Sequence, residues 1–234
     1  MIRQLVAQHP SDFSSDLGVF DQLVRSQHYG LPTRLLDVSL NPLVALYFAV
    51  CSKPSKRGQV IVFKPDVGKQ KYYDSDVVSC MSALCLLSEG EKTRIAKHTA
   101  IYLRKSAKDT RILAEPGLDE YNSIPEMKKL IQLVRQEKSD FRPIVQPRDL
   151  VLPVAVVPRK LHSRILAQNG AFILFGLARG PTENNMKHIQ VEKMDIDESK
   201  KDQFISELSS VGITESSLFP EIEKAALAIK SRYR

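Results

Sequence analysis

Leu17, Phe20, Leu23 and Val24 recur at helical spacing, and Gly30 with Pro32 follows as a stop, so the pattern predicts a helix over residues 16–29. Gln27 and His28 stand four positions after Leu23 and Val24. Both therefore leave the last turn on the apolar side, toward a core or a cavity beside it. Residues 33–38 should be a short extended piece. Asn41 then has the side chain to cap a helix over 42–52 whose first position is Pro42. That helix is apolar on every side, which predicts a central, buried element. After the polar loop 53–58, Val60, Ile61, Val62 and Phe63 in succession predict a strand over 59–64 covered on both faces.

Further along, helices are expected over 76–87 and 91–105, with a break near Gly90. Ser123-Ile124-Pro125 starts another, with Met127, Leu130, Ile131 and Val134 as one stripe opposite Lys128, Lys129, Arg135 and Gln136. Pro143 and Pro147 bar a helix, so residues 150–157 should be extended, with Pro153 marking an edge or a bulge. A short helix over 164–170 should close on Gly170, followed by a second core strand over 171–177. A turn-rich loop at 180–185, a strand over 188–194 and helices over 200–209 and 221–234 complete the reading. No repeat, low-complexity tract or linker divides the chain. The expectation is a single α+β domain, with a mixed central sheet around a buried helix and a helical insertion.

Composition narrows the class. With 234 residues, 43% hydrophobic and 26% charged, the chain reads as a soluble protein with a sizeable core. Met1-Ile2-Arg3-Gln4-Leu5-Val6 lacks the pattern of a secretory signal and no apolar run is of bilayer length, so a cytoplasmic location without membrane partners is expected. Cys51, Cys80 and Cys85 form no C-x-x-C pair and no zinc spacing with the histidines, which predicts reduced thiols and no metal site. The net charge of +7 is concentrated between Glu91 and Arg111, where Lys92, Arg94, Lys97, Arg104, Lys105, Lys108 and Arg111 face only Glu91 and Asp109. A nucleic-acid partner and a plain solvated helix face both fit such a run. Phosphate-loop, G-x-G-x-x-G, H-E-x-x-H, G-x-S-x-G and EF-hand patterns are all missing, which disfavours a Rossmann cofactor, a metal and a serine hydrolase.

The densest chemistry lies in Gln27-His28-Tyr29-Gly30-Leu31-Pro32-Thr33-Arg34-Leu35-Leu36-Asp37, followed by Asn41-Pro42-Leu43-Val44-Ala45-Leu46-Tyr47-Phe48-Ala49. Polar groups between apolar elements are costly unless they pair or meet a ligand. If they line a pocket, Arg34 suits a phosphate, His28 a ribose or phosphate, and Tyr29 or Tyr47 can stack on a ring. Asp37 would then supply a carboxylate, with Gln27, Thr33 and Gln168 as further binding groups. If they are structural, His28 is a satisfied core histidine, Arg34 and Asp37 are a buried ion pair, and Gln168 belongs to a helix-ending network. Glu89-Gly90-Glu91 matches the E-x-E pair of arginine-directed ADP-ribosyltransferases, a pattern common by chance and placed here at the expected helix break.

The two motifs resemble the signature of the FRG domain family, named for an aromatic-Arg-Gly motif. Tyr73-Asp74-Ser75-Asp76 is similar to the family's helix entry. Arg164-Ile165-Leu166-Ala167-Gln168-Asn169-Gly170-Ala171-Phe172 resembles its R-I-x-x-Q-x-G-x-F segment, and Ser217-Leu218-Phe219-Pro220-Glu221-Ile222 its L-F-P-D-L ending. The aromatic-Arg-Gly motif itself is missing upstream, so the chain reads as N-terminally shortened, which puts activity in question if that arginine serves a site. The resemblance implies a cytosolic bacterial or phage protein. By fold-level analogy it implies an ADP-ribosyltransferase-like architecture with a pocket for NAD or a similar nucleotide, where His28, Arg34 and Asp37 carry the chemistry. Two other readings stay open: a non-catalytic nucleic-acid or protein binding module using the basic segment 92–111, and a purely structural motif. The sequence sets no oligomeric state.

Overall fold

The computed structural model describes residues 1–52, 55–108, 117–178, 180, 186, 188–221 and 230. In chain order its elements are α1 (Ile2–Gln8), α2 (Val19–His28), β1 (Leu35–Ser39), α3 (Pro42–Val50), β2 (Gly58–Pro65), β3 (Lys71–Tyr72), α4 (Asp76–Ala83), α5 (Glu89–Lys108), α6 (Leu118–Ser123), α7 (Pro125–Glu137), β4 (Val154–Val157), α8 (Ser163–Ala167), β5 (Gly170–Leu174), β6 (Ile189–Ile196), α9 (Lys201–Ser210) and α10 (Glu215–Leu218). Short 3-10 turns occupy Leu84–Leu86, Pro147–Leu150 and Glu198–Lys200.

This is an α+β fold. Four strands lie in the order β1-β5-β4-β3, while β2 and β6 form a separate two-stranded ribbon. The larger sheet is mixed. Strands β3 and β4 run parallel, with Lys71 opposite Val156. Backbone bonds from Phe175 to Arg34 and from Leu40 to Asn169 flank β1 and β5 in the crossed order of an antiparallel pair. The chain divides into two compact units, one of residues 1–36, 68–157 and 173–187, the other of residues 37–67, 158–172 and 188–234.

In the first unit, α2 packs on α4, α4 on α7, and α7 on α5. The stripe Met127, Leu130, Ile131 and Val134 is buried as its 3.6-residue period predicts. Phe20, Leu23 and Val24 of α2 are buried in the same way. The start of α2 is closed from a distance, because the Glu137 carboxylate accepts the Val19 N–H at 2.7 Å. Helix α4 ends at Ala83 and tightens into the 3-10 turn 84–86. The break expected near Gly90 falls slightly earlier, at Leu87 and Ser88, and α5 runs unbroken from Glu89 with Gly90 in its first turn. Ser88 and Glu91 explain it. The Ser88 N–H and hydroxyl both donate to the Glu91 carboxylate at 2.8 Å, and the Glu91 N–H donates back to the Ser88 hydroxyl at 3.3 Å, a capping box.

The second unit corrects two expectations. Helix α3 keeps its Asn41 cap, whose side chain accepts the Leu43 N–H at 3.0 Å, but it is not a central buried helix. Only Val44 and Val50 are buried, and Leu43 and Phe48 face outward. An all-apolar sequence gives no direction to the buried side, so the packing of the unit decides it. Strand β2 is likewise not covered on both faces, since Ile61 is exposed. Val50, Ile196 and Leu208 form one small core cluster here, with Leu46, Val60 and Phe204 around it.

Other boundaries move. The short helix before β5 stops at Ala167, and Asn169, not Gly170, takes the left-handed conformation at φ 46°. Strand β5 ends at Leu174, and residues 147–150 form a 3-10 turn ahead of β4. Helices α1, α6 and α10 are additions to the expected elements. The loop expected at 180–185 and most of the helix expected at 221–234 fall outside the described residues.

Candidate functional site

The motif begins where α2 stops. Gly30 adopts φ 84°, a conformation that favours glycine, and the Leu31 N–H closes on the Ser26 carbonyl at 2.9 Å. The chain is then pinned by side chains. The Thr33 hydroxyl donates to Gln27 Oε1 and accepts the Leu35 N–H at 3.1 Å. Gln27 and Thr33 thus satisfy each other and fix the entry into β1. His28 is half-buried, with its ring 5.3 Å from that of exposed Tyr29 in an edge-on arrangement.

Arg34 is half-buried, and its Nη1 donates to the carbonyls of Phe175 at 3.1 Å and Gly176 at 2.7 Å. Its own carbonyl accepts the Phe175 N–H at 3.0 Å. The side chain therefore clamps the exit of β5. Gly176 is required there by close approach: a Cβ would lie 2.1 Å from the Leu150 carbonyl oxygen. A guanidinium carries five N–H donors, and only those of Nη1 are engaged; Nε and Nη2 meet no hydrogen-bond partner among the described residues. Nor does the guanidinium form an ion pair with any described carboxylate. Burial pulls its pKa below the ordinary value, partly offset by Cys85 and Glu89.

More positive charge gathers nearby. Burial pushes the Cys85 thiol up to about 11, and Arg34, Lys92 and Arg3 draw it back, so three cations act on one place. Lys92 pairs with Glu89 at 2.7 Å. The other acid of the E-x-E match is engaged elsewhere, since besides Ser88 the Glu91 carboxylate accepts from Lys129 at 2.6 Å. These partners hold its pKa down at about 2, the Lys129 hydrogen bond contributing most.

The remaining candidates lie in the second unit. Asp37 is exposed on β1. Tyr47 is raised above the ordinary phenol pKa by burial first, then by Cys51 and Glu215. Gln168 is held structurally, with Nε2 donating to the Leu218 carbonyl at 3.0 Å and its own carbonyl accepting the Ser39 hydroxyl at 2.7 Å. The guanidinium of Arg164 lies over the Phe219 ring at 4.6 Å, and Phe48 meets the same ring edge-on at 5.9 Å. Three motif segments far apart in the chain thus converge on Phe219 and Leu218. Sequence reading singled out Gln168 and missed the Arg164–Phe219 stack; the pairing of an arginine with a distant aromatic leaves no local signal.

Residues 3–58 match the family model of the FRG domain, and the resemblance drawn from the Gln27–Asp37 motif holds over that segment. No curated protein and no solved structure matches the chain. Among the described residues, no helix is long and apolar enough to cross a membrane.

Proposed function

We propose that the first unit binds a phosphate-bearing ligand of the nucleotide class, with Arg34 as its receptor. The observation that carries this is the state of the guanidinium: desolvated, unpaired with any described carboxylate, and with Nε and Nη2 engaged by no described residue. A planar edge of donors held rigidly by two carbonyl bonds suits two phosphate oxygens. Arg3 and Lys92 supply further attraction for an anion. His28 and Tyr29, with an imidazole and an exposed ring next to each other, suit hydrogen bonding to a sugar and stacking on a base. The choice of NAD over other nucleotides rests on the FRG resemblance and the ADP-ribosyltransferase analogy alone. Asp37, Tyr47 and Gln168 carry no part of this proposal.

The test is calorimetric titration with NAD, ADP-ribose and pyrophosphate at low ionic strength, on the wild type and on Arg34→Lys, at a temperature where circular dichroism finds both folded. Hydrogen bonds to a charged group are worth about 1.5–3 kcal/mol. Loss of the forked donor edge should therefore weaken binding roughly 10- to 150-fold. Absence of binding by all three ligands at millimolar concentration overturns the proposal.

A second reading has its own observation. On α5, Lys92 and Arg94 are tied to Glu89 and Glu126, whereas exposed Lys97, Arg104 and Lys105 form no ion pair with a described residue. A nucleic-acid partner would use those three, and its binding would fall steeply with salt. Failure to retain RNA or DNA at low salt removes this reading.

A further inference from the structure

The ribbon of β2 and β6 carries an edge that no described strand uses. Strand β6 pairs with β2 along its whole length, from Gly58 opposite Ile196 to Pro65 opposite Ile189. No described strand lies on its other side. Only its end residues, Ile189 and Ile196, are buried, and all six between them are exposed. Val191 is 42% and Met194 53% exposed, with Ile61 at 43% on the neighbouring strand. An eight-residue ribbon with an open edge and exposed apolar side chains is a template for another strand.

The pattern of β6 favours a second copy of itself. Two identical antiparallel edges related by a two-fold axis keep the same faces up, so the axis must pass between one residue and its own copy, with neighbours paired symmetrically about it. Centring on Glu192, Lys193 or Asp195 sets a charge against its own copy. Centring on Val191 sets Gln190 opposite Glu192 and Ile189 opposite Lys193, with no pair of opposite charges, and centring on Met194 likewise leaves one apolar residue, Ile196, opposite a charge, Glu192. Centring on Met194 sets Lys193 opposite Asp195 of the second copy, twice by symmetry, and Met194 against Met194. Lys193 forms no ion pair with a described residue that it would have to give up, and Asp195 engages Gln59 through Oδ1 alone, which leaves Oδ2. On the inner face, Met194 lies opposite Val60, which already packs on the Val50–Ile196–Leu208 core, so the pairing extends that apolar row across four strands.

We infer that β6 is a homodimerisation edge, with two copies joined antiparallel about Met194 into a four-stranded sheet. Sedimentation velocity on the full chain over a concentration series reads this directly. The wild type should shift from monomer to dimer, and Lys193→Asp or Asp195→Lys should each weaken the dimer about tenfold by opposing like charges twice. The double swap Lys193→Asp/Asp195→Lys should restore it. Met194→Cys in a Cys51→Ser background should cross-link under mild oxidation, because directly opposite Cβ atoms fall within disulfide reach, whereas Glu192→Cys should not. A chain monomeric at its highest soluble concentration overturns the inference. So does a dimer insensitive to both single swaps, which would place the interface elsewhere.

Discussion

Arg34→Met tests the structural half of the Arg34 argument. The substitution keeps much of the aliphatic stem and removes the guanidinium, so the carbonyls of Phe175 and Gly176 lose their side-chain donor. Leaving a buried acceptor unsatisfied costs about 1–3 kcal/mol. Two acceptors set the gross loss at about 2–6 kcal/mol, and release of a desolvated cation offsets part of it. The expected net destabilisation is about 2 kcal/mol. Arg34→Lys retains one donor group in reach of the carbonyls and should lose about half as much. Urea unfolding serves as the assay, followed by tyrosine fluorescence because the chain has seven tyrosines and no tryptophan. Hydrogen exchange at the Phe175 amide, which bonds the Arg34 carbonyl, adds a local readout and should quicken in both variants. An Arg34→Met protein as stable as the wild type, with unchanged exchange at Phe175, would refute the clamp.

Gly176→Ala should be severely destabilising, by more than about 3 kcal/mol, because its Cβ would enter the Leu150 backbone at 2.1 Å; near-native melting would show that the approach can relax. Leu130→Ala, at a wholly buried site on α7, should cost about 2–5 kcal/mol in chemical unfolding. The Glu91 carboxylate titrates lower in the folded chain than in the unfolded one, so its contribution is present above its ordinary 4.5 and is lost as pH falls toward about 2. Glu91→Gln should therefore flatten the acid limb of a stability-against-pH curve in that window, and an unchanged limb contradicts the capping-box account.

Much of the fold is legible in local pattern. The α7 stripe announces both a helix and its buried face, Asn41-Pro42 marks a helix start, and the core strand at β5 follows from its apolar run. Where a segment is apolar throughout, the element is legible and its environment is not: α3 and β2 each leave apolar side chains exposed. At α5 the signal is present and outweighed, since Ser88 and Glu91 stand at capping-box spacing, while Gly90 suggests a stop. The site divides in the same way. Gln27 and Thr33, six positions apart across a turn, are a short-range pair that periodicity and turn residues bring within view. The clamp of Arg34 on Phe175 and Gly176 is set by strand pairing between distant parts of the chain. Proximity in the sequence suggests Asp37 as the partner of Arg34, and the guanidinium is held by carbonyls instead.

The central claim is that the Nε and Nη2 edge of the Arg34 guanidinium, which no described residue engages, receives a phosphate. Phosphorus and proton NMR titration of pyrophosphate or ADP-ribose into the full chain, in wild type and Arg34→Lys, measures it most directly. The account predicts saturable shifts in the wild type, including the His28 ring protons, with binding at least tenfold weaker in the variant while both remain folded. Equal binding by the two proteins, or no saturable shift in the wild type, would contradict it.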